Sequence, residues 1–279
     1  MKKQYTAALF FIIAAYSLLI HADDKVITNI TVQTELGFLA VAEHDIQFSK
    51  NGTYFDYVDN GGQDILFAVS RFSSDIVLKN RHVFTLLYQP LRLETSSLLK
   101  QDLSVDSLVF PAGTPMEFLY DFPFYRISWL YDFIADPENE LGIGLSFQIR
   151  NATIIFRSGD GTLYRDNRDI GPVPVLKARG RYTFSKGPWI GTEIDGFYAP
   201  VSYLNGSDEE ITGAILDASV RAGIPVLKQR GDLFLNVRYL GGGAVGTNTD
   251  NEGPGDGYVK NWLHFITVTL GGTWRLLSW

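Results

Sequence analysis

The chain of 279 residues carries 24 basic and 31 acidic side chains, a formal net charge of −7, with 46% hydrophobic and 14% aromatic residues, 27 glycines and no cysteine. The acidic balance argues against nucleic acid as a partner. Without cysteine there is no disulfide framework, no thiol chemistry and no thiolate metal site.

At the N-terminus, Lys2 and Lys3 precede an apolar run from Ala7 to Ile20 and a small residue, Ala22, ahead of Asp23 and Asp24. This is the layout of a cleaved secretory signal peptide over residues 1–22. The run is shorter than the roughly 20 residues a spanning helix needs. Loss of Lys2 and Lys3 with the leader takes the net charge from −7 to −9. No later run is apolar for long enough to cross a bilayer as a helix, and residues 23–279 read as one all-β domain, either a secreted one or a membrane barrel.

Ten segments alternate with a period of two and read as strands. They lie near Thr34 to Phe48, Asp64 to Leu78, His82 to Thr95, Met116 to Phe133, Leu141 to Phe156, Val175 to Phe184, Trp189 to Ala199, Gly213 to Val226, Asp232 to Ala244 and Tyr258 to Leu276. The connections discriminate between the two readings. Short turns at Lys79 to Arg81, Ala135 to Glu140, Ser185 to Pro188 and Leu227 to Gly231 alternate with long polar loops. Those loops run from Ser49 to Gln63, Ser96 to Pro115, Arg157 to Pro174, Pro200 to Thr212 and Val245 to Gly257. Short turns on one side and long loops on the other are the rhythm of a transmembrane barrel, whereas a soluble sandwich has no reason to sort them.

The strand faces point the same way. In the fifth strand Leu141, Ile143, Leu145, Phe147 and Ile149 oppose Gly142, Gly144, Ser146, Gln148 and Arg150. Later strands place Lys177, Arg179 and Arg181, then Glu193 and Asp195, Asp217 and Arg221, Arg238, and Arg275 opposite apolar faces. An Arg or Lys facing lipid near midplane costs about 2–4 kcal/mol, so the charged face belongs inside. Tyr125, Trp129, Tyr131, Trp189, Trp262 and Trp274 are assigned to interfacial aromatic girdles. In the second strand Ile65, Phe67 and Val69 compete with Leu66, Ala68 and Phe72 for the outer face, and its register stays open. The last strand runs Trp262, His264, Ile266, Val268, Leu270, Gly272, Trp274, Leu276 on one side and Thr267, Thr269, Gly271, Thr273, Arg275 on the other, long enough to cross a bilayer at a tilt.

The leader, the alternating strands, the sorted connections, the aromatic girdles and the terminal Trp279 together resemble bacterial outer-membrane β-barrel proteins as a class. The resemblance implies a closed antiparallel barrel of about ten strands, with eight or twelve as alternatives. It also implies outer-membrane lipid and lipopolysaccharide as surroundings, and barrel-insertion machinery that reads the C-terminal strand. Proteins of this class place apolar residues at every second position before a terminal aromatic. Leu277 and Trp279 fit, but Arg275, Thr273 and Gly271 do not, and a bulge near Leu276-Leu277 would reconcile the parities.

The expected lumen network is Arg150, Lys177, Arg179, Arg181, Glu193, Asp195, Asp217, Arg221, Arg238 and Arg275. It admits two readings, a salt-bridged structural core or a narrow passive channel for small solutes. Barrel enzymes of this class, which modify lipid A or cleave proteins, supply a second function class, and adhesion through external loops a third. No catalytic residue, cofactor or metal is assigned. His44 and His264 share outward parity near the rim, too few for a metal site, and no inward histidine joins Glu43 and Asp45. Gly241-Gly242-Gly243 reads as a bend at a strand end, because no lysine or helix start follows it.

Overall fold

The computed structural model describes residues 26–200, 210–247 and 255–278. The leader expected over 1–22, most of the acidic loops containing Asp208, Glu209, Asp250 and Glu252, and Trp279 lie outside the described residues.

The described strands are β1 (Ile27–Phe48), β2 (Phe55–Asp56), β3 (Leu66–Leu78), β4 (His82–Gln89), β5 (Arg92–Leu98), β6 (Leu103–Val105), β7 (Leu108–Phe110), β8 (Pro115–Asp121), β9 (Phe124–Asp132), β10 (Glu140–Ser158), β11 (Tyr164–Thr183), β12 (Trp189–Pro200), β13 (Glu210–Val226), β14 (Gly231–Thr247) and β15 (Tyr258–Ser278). Ten of them form a closed antiparallel ring, β1-β3-β4-β9-β10-β11-β12-β13-β14-β15 and back to β1. The closing ladder runs from Asn29 opposite Ser278 to Phe48 opposite Val259. β5 and β8 continue β4 and β9 beyond breaks at Pro90-Leu91 and Phe122-Pro123, where a proline cannot donate to a ladder. The Phe122 N–H donates to the Leu91 carbonyl at 2.7 Å and joins the two breaks.

Polarity is inverted. Leu145, Val220, Val237 and Leu270 are exposed on the convex face, while Arg126, Lys177, Asp195 and Asp217 are buried within. At the end carrying the long loops, the lumen is filled by an apolar cluster including Phe55, Tyr57, Phe118, Tyr120, Phe156 and Phe265. Part of this filling comes from the connection after β1, whose β2 pairs with Asp45 and Ile46.

Two sequence expectations change and one open register is settled. The loop expected from Arg157 to Pro174 is mostly strand: β10 and β11 pair without interruption from Glu140 opposite Arg181 to Arg157 opposite Tyr164, leaving only a tight turn. Its polar residues marked exit from the apolar band, not the end of the sheet. In β3, Leu66 is exposed and Phe67 is buried, so the even residues there face out. In β1, the register steps between Val41 and Glu43, so Ala42 is a bulge and every later side chain changes face. His44 is therefore buried in the lumen, with no exposed surface, contrary to its outward assignment. A second step, between Ile30 opposite Leu277 and Thr31 opposite Arg275, places a bulge at Leu276, where the sequence required one.

The wall is interrupted at two seams towards the loop end. β3 and β4 pair only from Leu78 opposite His82 to Phe72 opposite Tyr88. The segment after β2 fills this gap, burying Tyr57 and Gln63 and anchored where Ser97 Oγ donates to the Asn60 carbonyl at 2.5 Å. β11 and β12 pair from Thr183 opposite Trp189 only as far as Leu176 opposite Gly196.

Candidate functional site

The strand period that turns apolar residues outward turns a set of ionised ones into the bore, where an unpaired charge would cost several kcal/mol. They pair across the barrel. Arg126 on β9 reaches Asp195 at 2.7 Å and Asp217 at 3.1 Å, while its Nε and Nη2 donate to Gln148 at 2.9 and 2.6 Å. Its side chain has no exposed surface. Lys177 donates to Glu193 at 2.8 Å and Asp195 at 2.9 Å. Arg71 on β3 donates to Glu193 at 3.1 Å and Gln89 at 3.2 Å, and lies 3.8 Å from Glu35. Arg238 pairs with Asp217, and Arg221 with Glu193 at 2.8 Å. Glu35 accepts from Gln33, Asn236 and Thr269 at 2.9, 2.6 and 2.8 Å. The result is a belt from wall to wall, in which five cations (Arg71, Arg126, Lys177, Arg221, Arg238) interleave with four carboxylates (Glu35, Glu193, Asp195, Asp217).

Towards the turn end a second layer forms. Arg179 bridges Asp75 at 2.9 Å and Glu140 at 2.8 Å, and Asp232 takes both Arg181 at 3.2 Å and Arg275 at 3.1 Å. These groups line a vestibule of about 220 Å³ that ends at the belt. Above the belt, His44 Nδ1 meets Gln63 Oε1 at 2.8 Å, with the ring stacked 4.5 Å from Tyr57 and edge-on to Tyr120 and Phe265. His264 lies on the outer side, bonded to Tyr239 and 3.9 Å from Glu43, so the two histidines do not share a site. Among the described residues no cluster of histidine, aspartate and glutamate could hold a metal ion.

Of the sequence-assigned lumen residues, Lys177, Arg179, Arg181, Glu193, Asp195, Asp217, Arg221, Arg238 and Arg275 all take part in these layers. Arg150 lies outside the described side chains. Sequence reading missed Glu35, Arg71, Asp75, Arg126, Glu140 and Asp232. Arg126 was legible, because Tyr125, Trp129 and Tyr131 on one face of β9 leave it on the other. Arg71 was hidden by the unsettled register of β3.

Among the girdle residues, Tyr125, Trp129 and Trp274 are exposed on the convex face. Tyr131 and Trp262 are half-buried. Trp189 is a correction: it is 5% exposed and lies inside. It stands one residue before the outward Ile190, hence on the face of Glu193 and Asp195. There it stacks under the Arg181 guanidinium at 4.2 Å and against Phe234 at 5.8 Å.

Solved structures resemble this architecture. The outer membrane protease OmpT from Escherichia coli aligns at a TM-score of 0.53 and 12% identity, over 89% of this chain and 97% of its own. The fold is that of a bacterial outer-membrane β-barrel. The toluene transporter TodX from Pseudomonas putida, at a TM-score of 0.34 and 8% identity over 92% of each chain, is more remote. No family model and no curated protein matches the sequence.

Proposed function

We propose that this protein is exported to a bacterial outer membrane and serves there as a sealed structural barrel, its lumen a core and its loop end presented to the exterior. The observation that carries this reading is the belt: Arg126, fully enclosed, is clamped between Asp195 and Asp217 while Lys177, Arg71 and Arg238 occupy the remaining width. Small barrels are filled by side chains in the same way. The apolar cluster above closes the bore a second time. Lipopolysaccharide and lipid are the proposed surroundings, and insertion through β15 the proposed route. Purified protein in planar bilayers is expected to give no unitary conductance steps. Steady steps from the wild-type protein would instead make it a narrow passive channel.

A further inference from the structure

The Ala42 bulge does more than bury His44. It turns Glu43 outward, directly opposite His264 on β15, and leaves its side chain 57% exposed. One row of outward positions runs from Leu176 through Gly196, Leu216, Gly241 and His264 to Glu43, each opposite the next on the neighbouring strand. Tyr239 on β14 holds the histidine in place, its hydroxyl bonded to His264 Nδ1. A Cβ on Gly241 would lie 2.2 Å from that hydroxyl, so the phenol reaches the next strand only because position 241 has no side chain.

The phenol is the stronger donor of the two and the imidazole nitrogen the stronger acceptor, which leaves the hydrogen of a neutral ring on Nε2. That nitrogen lies 3.9 Å from Glu43 Oε2, too far for a direct hydrogen bond. One oxygen about 2.8 Å from each would close the gap, accepting from Nε2 and donating to the carboxylate. A hydroxyl does both, whereas an ester oxygen only accepts. The height of the pair indicates where such a hydroxyl comes from. His264 and Trp274 are ten positions apart on β15. That is about 33 Å along the strand and about 25 Å across the membrane at a tilt of about 40°, the full height of an apolar band. Exposed Ile266, Val268 and Leu270 lie below the pair, and an apolar groove lined by Leu176, Tyr198, Leu216 and Trp262 opens beside it, with Ala214 and Gly241 between them.

We propose that Glu43 and His264 bind the hydroxyl of a hydroxylated acyl chain on an outer-leaflet lipid, with the adjoining carbons of that chain in the groove. The groove is continuous with the apolar band, so its occupant is a lipid chain. The polar pair stands where such chains meet their headgroups. Lipopolysaccharide, whose chains carry a hydroxyl close to their linkage, is the lipid with this chemistry. Lys260, on the same face four positions nearer the loops, sets a cation at the height of its phosphates. This inference rests on the reading that the apolar band faces lipid and the loop end the exterior.

The test uses the full-length protein in detergent micelles, titrated with lipid A or with phosphatidic acid, an anionic phosphate lipid whose chains carry no hydroxyl. Bound lipid is counted by native mass spectrometry. Lipid A is expected to bind at least tenfold more tightly. Glu43→Leu and His264→Phe are each expected to weaken it at least fivefold and to leave phosphatidic acid unchanged. Ala214→Phe, which fills the groove and spares the polar pair, is expected to weaken lipid A as well, and Leu145→Ala on the far wall to change neither. On the wild type alone, a hydroxylated fatty acid is expected to displace lipid A where the same acid without its hydroxyl does not. Equal binding of the two lipids, equal displacement by the two acids, or variants that bind lipid A as the wild type does overturns the site while leaving the membrane reading intact. Binding of neither lipid also overturns the site; if the protein then stays monodisperse without detergent, the membrane reading falls with it.

Discussion

Arg126 is the residue on which the belt turns, because it meets two carboxylates and a glutamine in a space closed to water. Removing one partner of a buried pair costs about 3–5 kcal/mol, since the orphaned charge keeps its desolvation penalty. Arg126→Met is accordingly expected to lower stability by about that amount, measured by urea unfolding in lipid vesicles. Gly271 tests packing rather than charge. A Cβ there would fall 2.1 Å from the Phe234 ring, which itself lies against Trp189 and Arg221. Gly271→Ala is expected to cost about 1–3 kcal/mol in the same assay, the usual penalty of overpacking. Residue-level legibility followed parity. The nine charges read on β11 to β15 lie on strands with regular alternation, and each takes part in an ion pair of the two layers. Trp189 was misplaced because aromatic character was given more weight than its odd position beside Glu193.

At the scale of elements, all ten staves were legible, and what the sequence hid was where periodicity breaks. The Ala42 bulge reverses the facing of His44, and no local composition announces it. β10 and β11 extend beyond the apolar band, where polar residues on both faces look like loop. The Pro172 and Pro174 pair was visible but read as loop, so the seam beside it was missed. One connection carries a pH dependence. Asp256 accepts from the Lys50 and Tyr258 N–H groups, each at 3.0 Å, tethering the loop before β15 to the turn after β1. Those two N–H groups hold its carboxyl below the usual carboxylate range. A depressed folded value means the tether stabilises above the ordinary carboxylate pKa of about 3.9 and is lost as pH falls through the lower value. The expected carbon-13 titration midpoint for Asp256 is below 3.9; a midpoint at or above it would show the tether absent in solution.

For the whole molecule, inverted polarity is the decisive property, and it was legible from the alternation of β10 alone. Leu145 is 58% exposed at the middle of that strand's apolar face. Leu145→Arg is expected to cost about 2–4 kcal/mol in a bilayer. Were that face bathed in water, the same substitution would fall within about 0.5 kcal/mol, the ordinary range for surface changes. The closing ladder between β1 and β15 has a consequence for time rather than energy. Its partners, such as Asn29 and Ser278, are nearly the whole described chain apart in sequence. Assembly therefore waits on the most distant pairing of all, which makes a high-contact-order fold slow to form. Until that last zipper engages, two long strand edges stay unsatisfied and open to mispairing. The chain is thus most vulnerable to aggregation and proteolysis before its two ends have met.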